Sequence, residues 1–265
     1  PEVKEEEVEK EPSEWEELPA VLPPDKNAIF LFGMFTILDN AGRDITYMLS
    51  PKLRTIFLYI LLNSVGKRGV LSSDMNQIFW PDKSGSNVKN LKGVSMNHVR
   101  KILQDVDGIE LVYRNGYFCM VFGKEFYCDY IRLMNLTSPE KKKKETPGAI
   151  RAEWLEILLR GKFIPASESD LFDYYKQKVE TLMYSLLPGQ LELAYGDARF
   201  SIVIRLCNIL FIADPLSDLA LAYTVCALRK QNNQEEAIRR YAAFPKDYRR
   251  VMNEEYGIAF ADIKV

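Results

Sequence analysis

The chain has 265 residues, 47% of them hydrophobic and 12% aromatic; that is length for two ordinary domains and apolar material for their cores, which excludes a disordered chain. No run of 18 or more apolar residues occurs and Pro1-Glu2-Val3-Lys4-Glu5 carries no apolar signal core, so neither a membrane span nor a secretory leader is predicted, and the chain is expected to be cytoplasmic and a piece of something longer. The net charge of −2 is unevenly spread, with ten acids against three lysines in residues 1–27, thirteen Lys/Arg against nine acids in residues 28–136, and nineteen against eighteen in the remainder.

In chain order, residues 1–27 read as an acidic, Pro-punctuated linker. From Ala28, AIFLFGMFTILDNAGRDITYML predicts a β run, a turn over D-N-A-G-R-D and a second short β run, an antiparallel hairpin or meander. Ser50-Pro51 then opens a helix, with Ser as N-cap and Pro at the first position, that carries Leu53, Phe57, Ile60 and Leu61 on one face and closes at Gly66. Ser72 and Ser73 are expected to cap a second helix, which Pro81-Asp82 stops. A third covers residues 87–103, and GIELVYRNGYFCMVF then predicts two strands joined at Arg114-Asn115-Gly116, an Asn-Gly hairpin signal. Strands, three helices and a hairpin make an α+β winged helix-turn-helix domain with an N-terminal antiparallel sheet, over residues 28–136.

Residues 137–148, with lysines at 141 to 144, predict a polar hinge. Residues 149–265 read as helices separated by Leu-Pro-Gly, Tyr-Gly-Asp, Ala-Asp-Pro and Asn-Asn turns. A shift of 35 places lays Ile202, Val203, Leu206 and Ile209 onto Ala237, Ile238, Tyr241 and Phe244, close to the 34-residue period of tetratricopeptide helix pairs. An all-α, tetratricopeptide-like helical-repeat domain is therefore expected, with Trp154, Phe163, Phe172, Tyr174 and Tyr175 in its core. Cys119, Cys128, Cys207 and Cys226 lie far apart, with one His in the chain, which predicts buried thiols and neither a zinc site nor a disulfide framework.

That one His, His98, lies in NVKNLKGVSMNHVRKIL. As a helix oriented by Val99 and Leu103, this stretch puts Met96, Ser95 and Val88 on the core side and Asn90, Gly93, Val94, Asn97 and Lys101 opposite, with Lys89, Arg100 and His98 at the flanks. Amides and cations beside a small residue are what a major-groove reader uses: Asn pairs with adenine, Arg or Lys with guanine or phosphate, and a small residue lets the helix approach. A catalytic His98 would need a nucleophile and an orienting acid, and its neighbours are basic or amide. No phosphate-binding Gly-rich motif occurs, and Glu5-Glu6-Glu7 and Glu254-Glu255 sit on a tail and a helix end, so no enzyme site, cofactor or metal is expected.

LSPKLRTIFLYILLNS, IFWPDKS, NVKN with SMNHVRKIL, and GIELVYRNGYF resemble the OmpR-type winged helix of bacterial regulators, in the version that precedes a bacterial transcriptional activator domain in SARP-like regulators. LLRGKFIP, LFDYYKQKVETL, Asp214-Pro215-Leu216 and the closing Tyr241, Phe244 and Tyr256-Gly257 are similar to that helical domain, and the resemblance runs over residues 28–263. It implies a recognition helix at 87–103, a wing at 113–117 with Arg114 and Asn115, and phosphate contacts from helix starts bearing Lys52, Arg54 and Ser73. Lys83-Ser84-Gly85-Ser86 departs from the family as a long approach to the recognition helix, and Val99-Arg100 stands where the family has Leu-Arg. The mildly basic domain and the resemblance together lead to double-stranded DNA as partner, a homodimer on tandem half-sites, contact with RNA polymerase or another protein, and an activator as output module of a larger signalling protein. Neither a small-molecule ligand nor membrane contact is expected, although the acidic leader fits a tether from an upstream sensor. The rival reading is a protein-interaction scaffold whose helical domain binds a partner and whose winged helix has no DNA affinity.

Overall fold

A computed structural model describes residues 24–138, 147–165 and 169–265; the acidic leader up to residue 23 and the lysine run at 141–144 lie outside them. The chain divides into two compact units, one of residues 24–135 with Arg160–Leu182, the other containing Pro147–Leu159 and Met183–Val265. The stretch after Leu159, which the sequence places with the helical domain, thus groups with the strands.

In the first unit, β1 (Ala28–Phe30) pairs antiparallel with β2 (Thr36–Leu38). The β run AIFLFGMFTIL folds back on itself, through Gly33 at φ 73, ahead of the D-N-A-G-R-D turn. Gly33 is required there, since a Cβ would stand 2.2 Å from the Arg160 carbonyl oxygen. The predicted second β run after that turn is cut to a single antiparallel bridge of Asp44 to Leu38, with Ile45 N donating to the Ile37 carbonyl (3.0 Å), and then becomes a 3-10 turn at Thr46–Met48, where Asp44 Oδ1 accepts from Thr46 N (2.8 Å) and Thr46 Oγ1 accepts from Ile37 N (2.8 Å) in place of a continued ladder.

Helix α1 (Pro51–Ser64) buries Leu53, Phe57, Ile60 and Leu61 together with Ile56, Leu58 and Leu62, and Gly66 follows at φ 66. Ser50 is its N-cap by position, without a side-chain bond. A short strand, β3 (Val70–Leu71), leads directly into α2 (Ser72–Phe79), so neither Ser72 nor Ser73 caps that helix; Leu71 holds the cap position. Helix α3 runs Gly85–Leu103, two residues longer at its start than the sequence suggests, so that of the long approach Lys83-Ser84-Gly85-Ser86 the last two residues belong to its first turn, with Ser84 at the N-cap position and Gly85 at φ 59. The hairpin of β4 (Ile109–Arg114) and β5 (Tyr117–Phe122) turns on Asn115 (φ 52) and Gly116 (φ 87), the two left-handed positions of a type I′ turn. β3 adds to it, giving a sheet of order β3-β5-β4.

After the hairpin, β6 (Tyr127–Cys128) pairs parallel with β1, so the N-terminal sheet, of order β2-β1-β6, is mixed rather than wholly antiparallel. Helix α4 (Asp129–Leu136) begins on a buried carboxylate. Asp129 accepts from the backbone N–H of Leu31 (2.8 and 2.9 Å), Phe32 (3.0 Å) and Tyr130 (2.7 Å), and Arg160 Nε stands 3.9 Å away. Burial, opposed by those donors, pushes its carboxyl up to about 6. Phe163 packs on Phe32 (5.2 Å) and stacks on Tyr130 (5.0 Å), and Tyr175 meets Tyr130 edge-on. Phe163, Phe172 and Tyr175 are therefore core of this unit, while Tyr174 is 60% exposed.

The second unit contains α5 (Pro147–Leu159), α7 (Phe200–Ala213), α8 (Asp218–Lys230) and α9 (Gln234–Met252). Between α5 and α7, α6 (Asp173–Gly196) is continuous, and the division between the units falls within it. The predicted Leu-Pro-Gly break does not occur: Pro188 sits inside α6, where buried Leu187, Leu191 and Ala194 hold the helix on course despite the missing N–H. α8 is the central helix, with Ala220, Leu221 and Tyr223 to Leu228 buried, and it packs against α7 and α9. Ser217 and Asn233 cap α8 and α9 through bonds to Ala220 N and Glu236 N. The closing segment is fastened by Arg229, which donates to the carbonyls of Ile263 (3.0 Å) and Phe260 (2.5 Å) and lies over the Phe260 ring. Of the positions aligned by the 35-residue shift, Val203, Leu206, Ile209, Ala237 and Phe244 are buried, Ile202 and Tyr241 are half-buried, and Ile238 departs from the pattern at 50% exposure. Cys128, Cys207 and Cys226 are buried and Cys119 half-buried, all as free thiols, and burial pushes Cys207 up to about 12.

Candidate nucleic-acid interface

Helix α3 contains no acidic residue. Its core side is Val88, Met96, Val99, Ile102 and Leu103. From Gly85 to Val94 only Val88 is buried and Lys92 half-buried, so the first half of the helix stands out from the unit over most of its circumference. Lys89, Asn90, Gly93, Val94, Asn97, His98 and Lys101 are exposed, Val94 at 63%. Arg100 is half-buried: its Nε donates to the Leu111 carbonyl (3.2 Å) and its Nη1 to Asn97 Oδ1 (3.2 Å), which joins the helix to β4 and engages one end of the Asn97 amide.

The wing lies against the same elements. Ser72 N donates to the Gly116 carbonyl (2.9 Å), which fixes the hairpin turn to the start of α2. Arg114 and Asn115 are exposed at the tip, and Tyr113, 53% exposed, leans on Phe118 with ring centroids 4.7 Å apart. A groove of about 670 Å³ runs between α2, α3 and the wing, with Lys83, Lys89, Gly93, Arg100 and Tyr113 on its walls.

Lys92, which is not among the residues that the sequence singles out, is the clamp of this arrangement. Its Nζ donates to the carbonyl (3.2 Å) and Oγ (2.5 Å) of Ser72 and to Asn76 Oδ1 (2.8 Å), so one ammonium fixes α3 on the first turn of α2, and burial lowers its pKa. A signal for it does exist: Lys92 lies four residues from both Val88 and Met96, in a core row of the helix, where a cation must reach polar partners.

The remaining expected contacts stand differently. Lys52 donates to the Phe79 carbonyl (2.7 Å) at the end of α2 and lies 5.2 Å from the Trp80 ring, so its charge is spent within the fold. Arg54 lies over Phe35 at 5.3 Å, beside a different cavity. Ser73 is exposed, its Oγ donating to Asp74 Oδ1 (3.1 Å). The structure thus brings together the α3 face, Ser73 and the wing, and leaves Lys52 and Arg54 apart from them.

No family model matches the chain, and no curated protein matches it. A solved structure does: Mycobacterium tuberculosis EmbR in complex with a low-affinity phosphopeptide, at 17% identity and a TM-score of 0.50, over 89% of this chain and 63% of that one. The chain shares its fold with that protein. The chain spans less than two thirds of the EmbR chain. Among the described residues, no group of three or more His, Cys, Asp or Glu is placed to hold a metal ion, and no helix is long and apolar enough to cross a membrane.

Proposed function

We propose that this chain is a transcription regulator that reads duplex DNA with α3 in the major groove and the 113–117 wing on the flanking backbone. The observation that carries the reading is the acid-free first half of α3, exposed over most of its circumference and braced from behind by Lys92. A helix inserted between two phosphate backbones needs that wide exposed arc, free of carboxylates. The groove beside it, with Lys83 and Lys89 on its walls, suits a phosphate strand. Of the exposed amides Asn87, Asn90 and Asn97, Asn97 shares its oxygen with Arg100 and Asn87 lies in the first turn, whereas Asn90 lies on the face with Gly93 and Val94; we assign Asn90 the paired bonds to adenine N6 and N7, and Val94 beside it suits a thymine methyl. The wing is of OmpR type, and α7 to α9 form a tetratricopeptide-like domain for self-association or contact with RNA polymerase. Mild basicity calls for two copies on tandem half-sites. The fold shared with EmbR supports this reading.

Selection of bound duplexes from a random pool tests it. The full chain is expected to enrich a motif containing A·T pairs, and Asn90→Ala to lose preference at one adenine, worth about 1–3 kcal/mol. A pool that stays unenriched after selection with the wild-type chain rejects the reading.

A further inference from the structure

A second cavity, of about 480 Å³, opens beside α1 and shares no residue with the groove along α3. Its size is that of small-molecule sites. Phe35, Leu58, Ile164 and Pro165 supply apolar walls, and among the described residues the charged groups on its lining are Arg54 and Asp44. Two features set it apart from an ordinary surface cleft.

The first is Arg54. Its guanidinium lies over the Phe35 ring, and its Nε is buried without a hydrogen-bond partner among the described residues. A buried N–H is normally paired, and a guanidinium edge satisfies its donors best against a planar carboxylate, which accepts two parallel bonds. The second is Ile164, a β-branched residue held at φ 46, a region such side chains rarely enter. It is held there by Ile164 N donating to the Leu31 carbonyl (2.8 Å) and by the neighbouring bridge of Phe163 to Phe32. The result is a strained, buried side chain that forms part of the cavity wall. Backbone held in this way is found where a fold fixes the shape of a site.

We infer that this cavity binds a small organic monocarboxylate, with the carboxylate on Arg54 and an apolar body against Phe35, Leu58 and Ile164. The charge balance selects the class. The one guanidinium on the described lining can pair directly with one carboxylate, and Asp44, whose charge already cancels it, makes the second charge of a phosphate dianion costlier still. The apolar walls oppose a small inorganic anion, which would leave them wet. Thr55 Oγ1 already donates to the Pro51 carbonyl, whereas Thr46 Oγ1 accepts from Ile37 N and keeps its O–H as a neutral donor beside the charged anchor, the arginine.

The test uses the full chain, labelled with ¹⁵N, and sodium hexanoate as probe, with hexanol and hexyl phosphate alongside. The Arg54 Nε–Hε resonance, assigned by its absence from Arg54→Lys, is expected to shift saturably with hexanoate at a Kd on the order of 1 mM. Hexanol is expected to bind about tenfold more weakly, and Arg54→Leu to lose about the same factor, read from the amides of Phe35 and Leu58. Equal melting curves for wild type, Arg54→Lys and Arg54→Leu separate loss of the anchor from loss of the fold. No saturable shift with hexanoate up to about 50 mM overturns the proposal. So does hexanol binding as well as hexanoate, and hexyl phosphate binding more tightly overturns the ligand class. Because the site shares no residue with α3, its failure leaves the DNA reading standing, and the reverse holds.

Discussion

Lys92 and Lys89 sit three residues apart on one helix and do different things. Lys92 is the half-buried clamp between α3 and Ser72 and Asn76, whereas Lys89 is exposed. Lys92→Met is expected to destabilise the fold by about 1–2 kcal/mol, since it leaves Asn76 Oδ1 without its charged donor. Lys89→Met is expected to stay within about 0.5 kcal/mol in stability and instead to reduce the salt dependence of DNA binding by about one counterion. Urea denaturation of both variants, with binding measured at several salt concentrations, checks the contrast; equal stability losses would place Lys89 in the fold as well. Asp129 makes a separate prediction. With its carboxyl raised by burial from 3.8 to about 6, the folded chain holds a proton that the unfolded chain has released. Its contribution to stability is full below about pH 4 and is lost as pH rises through 6, with a slope of up to about 1.4 kcal/mol per pH unit. A ¹³C titration of the Asp129 carboxyl is expected to show a midpoint near 6; a midpoint near 4 would show that the backbone donors fully offset burial. Of this, only the place of Lys92 in a core row of α3 is legible in letters. A cation at a helix start reads alike whether it meets phosphate or, as with Lys52, a carbonyl and a Trp ring, because the partners come from elsewhere in the chain.

At the scale of elements, α3 carries a glycine that its own stability does not require. A Cβ at Gly93 would meet nothing within 4 Å, and its φ lies in no strained region. Gly93→Ala is therefore expected to stabilise the chain by about 0.5–1 kcal/mol through helix propensity. The same methyl would stand between the helix and a groove wall, so duplex affinity is expected to fall while the melting temperature rises. A variant that gains stability and binds unchanged would remove Gly93 from the interface. Strongly periodic elements are legible: the α1 face, the span of α3 and the Asn-Gly hairpin follow from apolar spacing and from two residues able to take φ above zero. What misleads is local bonding. ITYM has strand composition, yet Thr46 N bonds the Asp44 side chain and Thr46 Oγ1 takes the Ile37 N–H, which curls it into a 3-10 turn, and Leu-Pro-Gly has turn composition, yet buried leucines carry α6 through it.

At the scale of the whole molecule, the order of strands, three helices, hairpin and then helices is legible, but the grouping of the chain is not. Arg160 to Leu182 follow α5 in sequence and pack with β1 and α4 in space, through Arg160 near Asp129 and Phe163 on Phe32 and Tyr130. Those contacts span more than a hundred residues in the case of Phe32 and Phe163, a separation at which periodicity carries no information. The candidate site is legible as a helix face and a hairpin tip; its brace at Lys92 and the diversion of Lys52 and Arg54 depend on partners distant in sequence. The central claim is that the exposed face of α3 meets DNA. Fluorescence anisotropy of the full chain on randomised duplex between roughly 50 and 200 mM salt, beside the double variant Lys101→Glu, Asn97→Ala, addresses it most directly. The wild type is expected to bind with affinity falling steeply as salt rises, and the variant to bind far more weakly at every salt concentration with an unchanged melting temperature. Binding that is equal in the two proteins, or absent from both at the lowest salt, would contradict the claim and turn attention to the helical unit as a scaffold for a protein partner.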